Sequence, residues 1–288
     1  MGGVVESLAF MPPNEYGTQE EMKRQHKDNI YYRNSKSGNK ICLLYFVDNK
    51  SDGFTILYSH GNAEDLASSR YTYEELSKRL GCNLLAYDYS GYGLSTGNCK
   101  EKSCYKDIDC AFDFLVNDQN IPRNKIILFG RSLGSGPTID IASRQRGLGG
   151  LILQSPLRSA VKTQMPDWVG FLVKKIDIFK NEDKLKNLND YPIFIIHGLN
   201  DKVVPCEHGK HLFDELKKVN KNVTSFWVTG CGHNDIEYKR GHEFHQKLRH
   251  FIRVVRQFNT NTFSNNNNNN NYIAPQKKNG MDIEEHKE

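Results

Sequence analysis

Two pentapeptides in the chain match the pattern G-x-S-x-G: "GRSLG", centred on Ser132, and "GLSTG", centred on Ser95. A serine between glycines in this pattern acts as a nucleophile only at a sharp turn that leads from a strand into a helix, where crowding demands small neighbours. Ser132 has that context. "KIILF" precedes it as a strand candidate, and "SGPTIDIASR" follows at once with helical character. Ser95 lies in the glycine-rich stretch "DYSGYGLSTGNCK", with no helical pattern before about Ser103, and is read as a loop residue. A serine hydroxyl needs a base to take its proton and a carboxylate to orient that base. At an elbow of this kind the partners follow in the order acid, then histidine. Asp201, in "IFIIHGLNDKVVP", and His233, in "WVTGCGHND", each lie just past a strand candidate, as Ser132 does.

The other candidates are placed less well. Asp183 and Asp190 precede their strand, and Asp235 is read as capping the last helix. His208, His211, His242, His245 and His250 fall in helical patterns, and His197 at a strand end is read as bonding within its loop. Asp88 is read as ordering the glycine loop that follows it. A metal site built from Cys231, His233 and Asp235 lacks a fourth ligand at workable spacing, so neither a metal nor a cofactor is expected. An oxyanion formed at Ser132 would require two fixed donors. One is the backbone N–H of Leu133. The other is sought in the early loop "YSHGNAEDL", with the N–H of Asn62 first and that of Ala63 next.

These residues need elements to hold them. Strand candidates recur as "ICLLYFV" from Ile41, "FTILYSH" from Phe54, "NLLAYDY" from Asn83, "KIILFG" from Lys125, "GLILQS" from Gly150, "PIFIIHG" from Pro192 and "TSFWVTG" from Thr224. Amphipathic stretches lie between most of them, and a long one, "EYKRGHEFHQKLRHFIRVVRQF", follows the last. Alternation of this kind predicts an α/β fold, with a mostly parallel central sheet and helices on both faces. Groups just past the strand ends would then meet at one sheet edge. The expected organisation is an N-terminal extension over 1–29, one domain over 30–258 and an asparagine-rich disordered tail over 259–288. Between Ser155 and Tyr191 there is room for a small cap at most. Within it, "DWVGFLVKKIDIF" offers Trp168, Val169, Leu172, Val173 and Ile176 as an apolar face for the core, an acyl chain or a membrane.

Composition sets bounds on function. With 38% hydrophobic and 25% charged residues, the 288-residue chain reads as soluble and globular. Its formal charge of +5, without a basic run interleaved with aromatics, does not point to nucleic acid. Seven scattered cysteines with no C-x-x-C pair suggest free thiols in a reducing compartment, hence a cytoplasmic protein. No signal peptide or spanning segment is read from the sequence. Gly2 invites N-myristoylation, but Ser7 comes one place late for the motif.

Six motifs in order, "SHGNAEDL", "AYDYSGYGLSTG", "GRSLGSGPTIDIASR", "LQSPLRS", "HGLNDKVVP" and "WVTGCGHND", together with "LAFMPP" near the N-terminus, resemble the α/β-hydrolase domain-containing proteins of type 17 and their Bem-like relatives. The similarity covers about residues 30 to 255. It implies the α/β-hydrolase fold with little or no cap. It also implies a serine hydrolase that removes S-palmitoyl groups from membrane-associated proteins, with Ser132 as nucleophile, Asp201 as acid and His233 as base. The family's acylated N-terminal cysteine cluster is not matched, since the first cysteine here is Cys42. Peripheral attachment to the cytosolic face of membranes therefore does not carry over directly. A small-molecule carboxylesterase, a monoacylglycerol lipase and a catalytically silent interaction module are the competing expectations.

Overall fold

The computed structural model describes residues 10–13, 16–159 and 178–269. Eight strands form one sheet: β1 (Ile30–Asn34), β2 (Lys40–Phe46), β3 (Thr55–Ser59), β4 (Asn83–Tyr87), β5 (Ile126–Arg131), β6 (Gly150–Gln154), β7 (Ile193–Gly198) and β8 (Val223–Val228). Their spatial order is β1-β2-β4-β3-β5-β6-β7-β8. The β1–β2 and β2–β4 pairs are antiparallel, and all the others are parallel. The main helices are α1 (Tyr16–Gln25), α2 (Leu66–Leu80), α3 (Glu101–Asp113), α4 (Ser135–Arg144), α5 (Cys206–Val219) and α6 (Ile236–Asn269).

The parallel strands β3 to β7 are buried along nearly their whole length because both faces are covered, whereas β8 at the sheet edge is half-exposed. Alternation divides their side chains between two cores. Leu43, Leu57, Leu128, Leu153 and Ile195 point into one, which α3, α4 and α5 close with Ile108, Ile139 and Leu212. Leu44, Ile56, Ile127, Phe129 and Ile196 point into the other, closed by Tyr73 and Leu76 of α2 and by Phe244, Leu248 and Ile252 of α6. Local signals set the helix ends. Asp65 caps α2 by accepting the Ser68 N–H at 2.8 Å, and Gly81 ends it in the left-handed region at φ 60°.

All seven expected strands are present, and so are the expected helices. At both ends, helical structure is present beyond residues 30–258. Part of the segment read as an N-terminal extension packs on the body of the fold. Met22 of α1 is fully buried in the second core, Glu21 pairs with Arg70 of α2 at 2.8 Å, and Phe10 meets the Phe179 ring edge-on at 6.0 Å. The segment looked peripheral because "YGTQEEMKRQ" buries little besides Met22. At the other end, α6 breaks at Arg240 (φ −131°, ψ 27°), resumes, and continues past residue 258 through Asn269, into the segment expected to be disordered. Polar side chains turn back onto the helix there. Asn259 donates to the Val255 carbonyl at 3.0 Å, and Thr260 to that of Arg256 at 3.0 Å. Gly2, the apolar run Trp168–Ile176 and residues 270–288 lie outside the described residues. Among the described residues, no helix is long and apolar enough to cross a membrane.

Candidate active site

Ser132 follows β5 directly and opens a single 3₁₀ turn, Ser132–Gly134, that runs into α4. Its φ of 51° lies in the left-handed region, which costs a non-glycine residue about 1–3 kcal/mol. The turn closes this tightly because Gly134 has no side chain: a Cβ there would stand 2.1 Å from the Ser59 carbonyl oxygen. The end of β3, and the loop His60–Glu64 that leaves it, are thereby pressed against the elbow.

The other two residues arrive by a similar device. A Cβ on Gly198, the last residue of β7, would come within 2.5 Å of the Cys231 carbonyl oxygen. The loop after β8 therefore crosses directly over the loop after β7, and the Asn200 N–H donates to the Cys231 carbonyl at 2.9 Å. This crossing delivers His233 to Asp201. His233 Nδ1 lies 2.7 Å from Asp201 Oδ2, and His233 Nε2 lies 2.8 Å from Ser132 Oγ. The carboxylate and Ser132 are both buried, and the imidazole is nearly so. The three residues singled out in the sequence thus form one hydrogen-bonded chain at the C-terminal edge of the parallel strands.

Asp201 is held ionised. Burial pushes its carboxyl upward, but contacts with His197 and His233 and backbone donors outweigh that and hold it well below the usual carboxylate range. Its Oδ1 accepts the N–H groups of Val203 and Val204 at 2.9 and 2.8 Å, leaving Oδ2 to face His233. His197 Nε2 approaches the same oxygen at 3.2 Å while bonding the Val204 carbonyl at 2.8 Å.

Of the two expected oxyanion donors, Leu133 is buried in the turn directly after Ser132. Asn62 lies in the loop that β3 presses on the elbow. Its side chain is tethered, with Oδ1 accepting the Tyr92 hydroxyl at 2.7 Å and the Met11 N–H at 2.9 Å. Asp235 stands at the N-cap position of α6, but its carboxylate reaches back to accept the Gly232 N–H at 2.7 Å. Asp88 does order its loop, accepting the N–H groups of Leu66 and Leu94.

One participant had no sequence signal. Arg131, the variable residue before Ser132, ion-pairs with Glu64 and donates to Asn234 Oδ1 at 2.8 Å. Glu64 in turn accepts the Gly61 N–H at 3.2 Å. A single guanidinium thereby ties the His60–Glu64 loop, the elbow and the His233 loop together. Only the approach of three loops distant in sequence makes this visible.

Comparison with known proteins agrees with this architecture. A family model described as serine aminopeptidase, S33, matches residues 52–190. Human α/β-hydrolase domain-containing protein 17B is 33% identical over 274 residues, which cover 87% of this chain and 91% of that protein. The mouse 17C protein is 35% identical over 226 residues, covering 77% of this chain and 67% of its own. Among solved structures, an esterase of Pyrococcus furiosus superposes with a TM-score of 0.65 at 23% identity, over 78% of this chain and 91% of that one. That likeness bears on the fold. The extent and identity of the sequence matches carry the family: this chain is a hydrolase of the α/β type and belongs to the α/β-hydrolase domain-containing protein 17 family.

Proposed function

We infer that the protein is a serine hydrolase that cleaves acyl thioesters through a covalent acyl-enzyme, with S-palmitoylated proteins as its substrates. The observation that carries the chemistry is the Ser132–His233–Asp201 chain, with both hydrogen bonds under 3 Å and the serine on a left-handed turn. In the tautomer that donates Nδ1–H to Asp201, Nε2 is a free acceptor facing Ser132 Oγ. His233 takes the serine proton as Oγ attacks the acyl carbon. The N–H groups of Leu133 and Asn62 receive the oxyanion. His233 then returns the proton to the leaving thiolate, and water activated by the same imidazole releases the fatty acid. Asp201 remains ionised throughout and keeps the ring in its tautomer.

The thioester preference rests on family membership. The test is turnover of a long-chain acyl-thioester peptide beside short nitrophenyl esters and monoacylglycerol, by wild type and Ser132→Ala. Preferred cleavage of the thioester, lost in the variant, is the expected result. Preference for the small esters would replace this reading with that of a carboxylesterase. Failure of a fluorophosphonate to label Ser132 in the folded protein would leave an interaction module.

A further inference from the structure

Helix α3 begins with a cap whose apolar component is made of two thiols. Lys100 is the N-cap residue, and Ser103 Oγ accepts its N–H at 2.8 Å while donating to its carbonyl at 2.8 Å. The residue before the cap and the fourth residue of the helix are the positions where a hydrophobic staple fixes the angle of chain entry. Here those residues are Cys99 and Cys104, and their sulfurs lie 3.3 Å apart. Reduced cysteines serve as small hydrophobes, so the pair staples the helix as two aliphatic residues would. Unlike aliphatic residues, it can also be closed covalently. A disulfide needs about 2.05 Å between sulfurs, so side-chain rotation has roughly 1.2 Å to close.

We propose that Cys99 and Cys104 form a reversible disulfide on exposure to a peroxide, turning the α3 staple into a covalent one. Exposure assigns the order of events. Of the seven cysteines, six are buried and Cys99 alone is partly exposed, so it meets the oxidant first. Burial, with the Cys99 thiol beside it, pushes the Cys104 thiol well up, so Cys104 stays a protonated thiol while Cys99 reacts and gives up its proton in the second step. The Cys99 thiolate attacks one peroxide oxygen, the O–O bond breaks, and sulfenic acid and hydroxide are formed. Cys104 sulfur then attacks Cys99 sulfur. The sulfenic oxygen leaves as water with the two protons, so two thiols and one hydrogen peroxide give one disulfide and two waters. The crosslink pins the end of the β4–α3 loop, which also carries Tyr92, the residue that holds the Asn62 side chain.

The full chain, reduced and then exposed to limiting hydrogen peroxide, is quenched, alkylated under denaturing conditions and mapped by mass spectrometry. The expected product is a Cys99–Cys104 crosslinked peptide that has lost two hydrogen atoms, with the other five cysteines alkylated and the link reversed by dithiothreitol. The oxidised protein should melt at a higher temperature than the reduced one. Cys99→Val combined with Cys104→Leu keeps the apolar staple and should melt as reduced wild type does, with no peroxide-dependent rise. Sulfinic acid on Cys99 with Cys104 still alkylated, earlier oxidation of another cysteine, or a peroxide-dependent rise that persists in the double variant would each overturn the proposal.

Discussion

Two histidine–carboxylate pairs close to the same sheet edge, His233–Asp201 and His60–Asp88, behave oppositely. In one, His233 Nδ1 meets Asp201 at 2.7 Å, and the carboxyl is held well below its ordinary range. In the other, His60 Nε2 stands 3.7 Å from Asp88 Oδ1, both side chains are buried, and the carboxyl is pushed up to about 7. Burial raises both carboxyls, more so at Asp88, where the neighbouring Asp65 charge adds to it, and His197 lowers Asp201; the remaining donors differ as well. Asp201 has two backbone N–H groups on one oxygen and an imidazole N–H on the other. Asp88 has two backbone N–H groups, one of them long at 3.3 Å. His60 gives it nothing, because its Nδ1 bonds the Gly61 carbonyl at 2.8 Å and turns a bare Nε2 toward the carboxyl. Residue type alone therefore does not make an acid–base pair. Depth of burial, neighbouring charge and the donors that reach the carboxyl, a ring proton among them, together set whether it stays charged.

The comparison predicts large effects at the first pair. Ser132→Ala and His233→Ala should each lower kcat by about 10⁶, measured on the long-chain acyl thioester. Asp201→Asn should cost about 10⁴, because an amide that donates toward His233 Nδ1 selects the wrong tautomer. All three variants should keep the wild-type far-ultraviolet circular dichroism spectrum. A folded Asp201→Asn variant with near-wild-type kcat would place the ring-orienting role elsewhere, with His197 the nearest group.

How much of this was legible in the sequence depended on the range of the interactions. The central strands are dense in β-branched and aliphatic residues because both faces are buried, so their pattern is unambiguous. β1 was missed because "IYYRN" pairs on one side only and lies half-exposed at the sheet edge. Helix α1 was missed because, among its described residues, Met22 is the one buried apolar side chain and its other anchors are polar. Ser132, Asp201 and His233 could be picked out because each lies at or shortly past the end of a parallel strand, and such strands bring their C-terminal ends to one edge. The tethering of Asn62 by Met11 and Tyr92 was not legible, since those partners are 51 and 30 or more residues away on segments with no strand or helix signature. The same holds for the Arg131 tie.

That tie gives a smaller, sharper prediction. Arg131→Met leaves the Ser132, His233 and Asp201 side chains intact but releases Glu64 and Asn234 from the elbow. Misplacement of catalytic groups by about 1 Å can cost about 10² in rate, and a loss of kcat of about 10- to 100-fold is expected, with KM less affected. Arg131→Lys should recover only part of the loss, because one ammonium cannot reproduce both arms of the guanidinium. Asn234→Ala should lower kcat in the same direction and add little to Arg131→Met, since the two share one bond. Full additivity of the pair would mean that the two residues act separately.

The smallest effect concerns stability at the second pair. Asp88, raised to about 7, keeps its proton in the folded state after the unfolded chain has lost it. Its favourable contribution is complete below about pH 4 and is lost as pH rises toward 7. His60 is lowered to about 4, chiefly by burial, so the folded state stays neutral where the unfolded chain, titrating near 6.5, is charged. Its contribution is lost as pH falls through that window, and the two slopes oppose one another between about pH 4 and 6.5. Asp107, pushed up to about 6 chiefly by burial, adds to the Asp88 side. Asp65 and Arg131, which also act on His60, pull it in opposite directions. Asp88→Asn removes one opposing slope and leaves His60 in place. Its melting temperature should therefore rise more steeply from pH 4 to 6.5 than that of wild type, whatever the drop in its absolute value. Parallel profiles for variant and wild type would mean that Asp88 is ionised in the folded protein across this range, and that the two pairs differ less than their geometry implies.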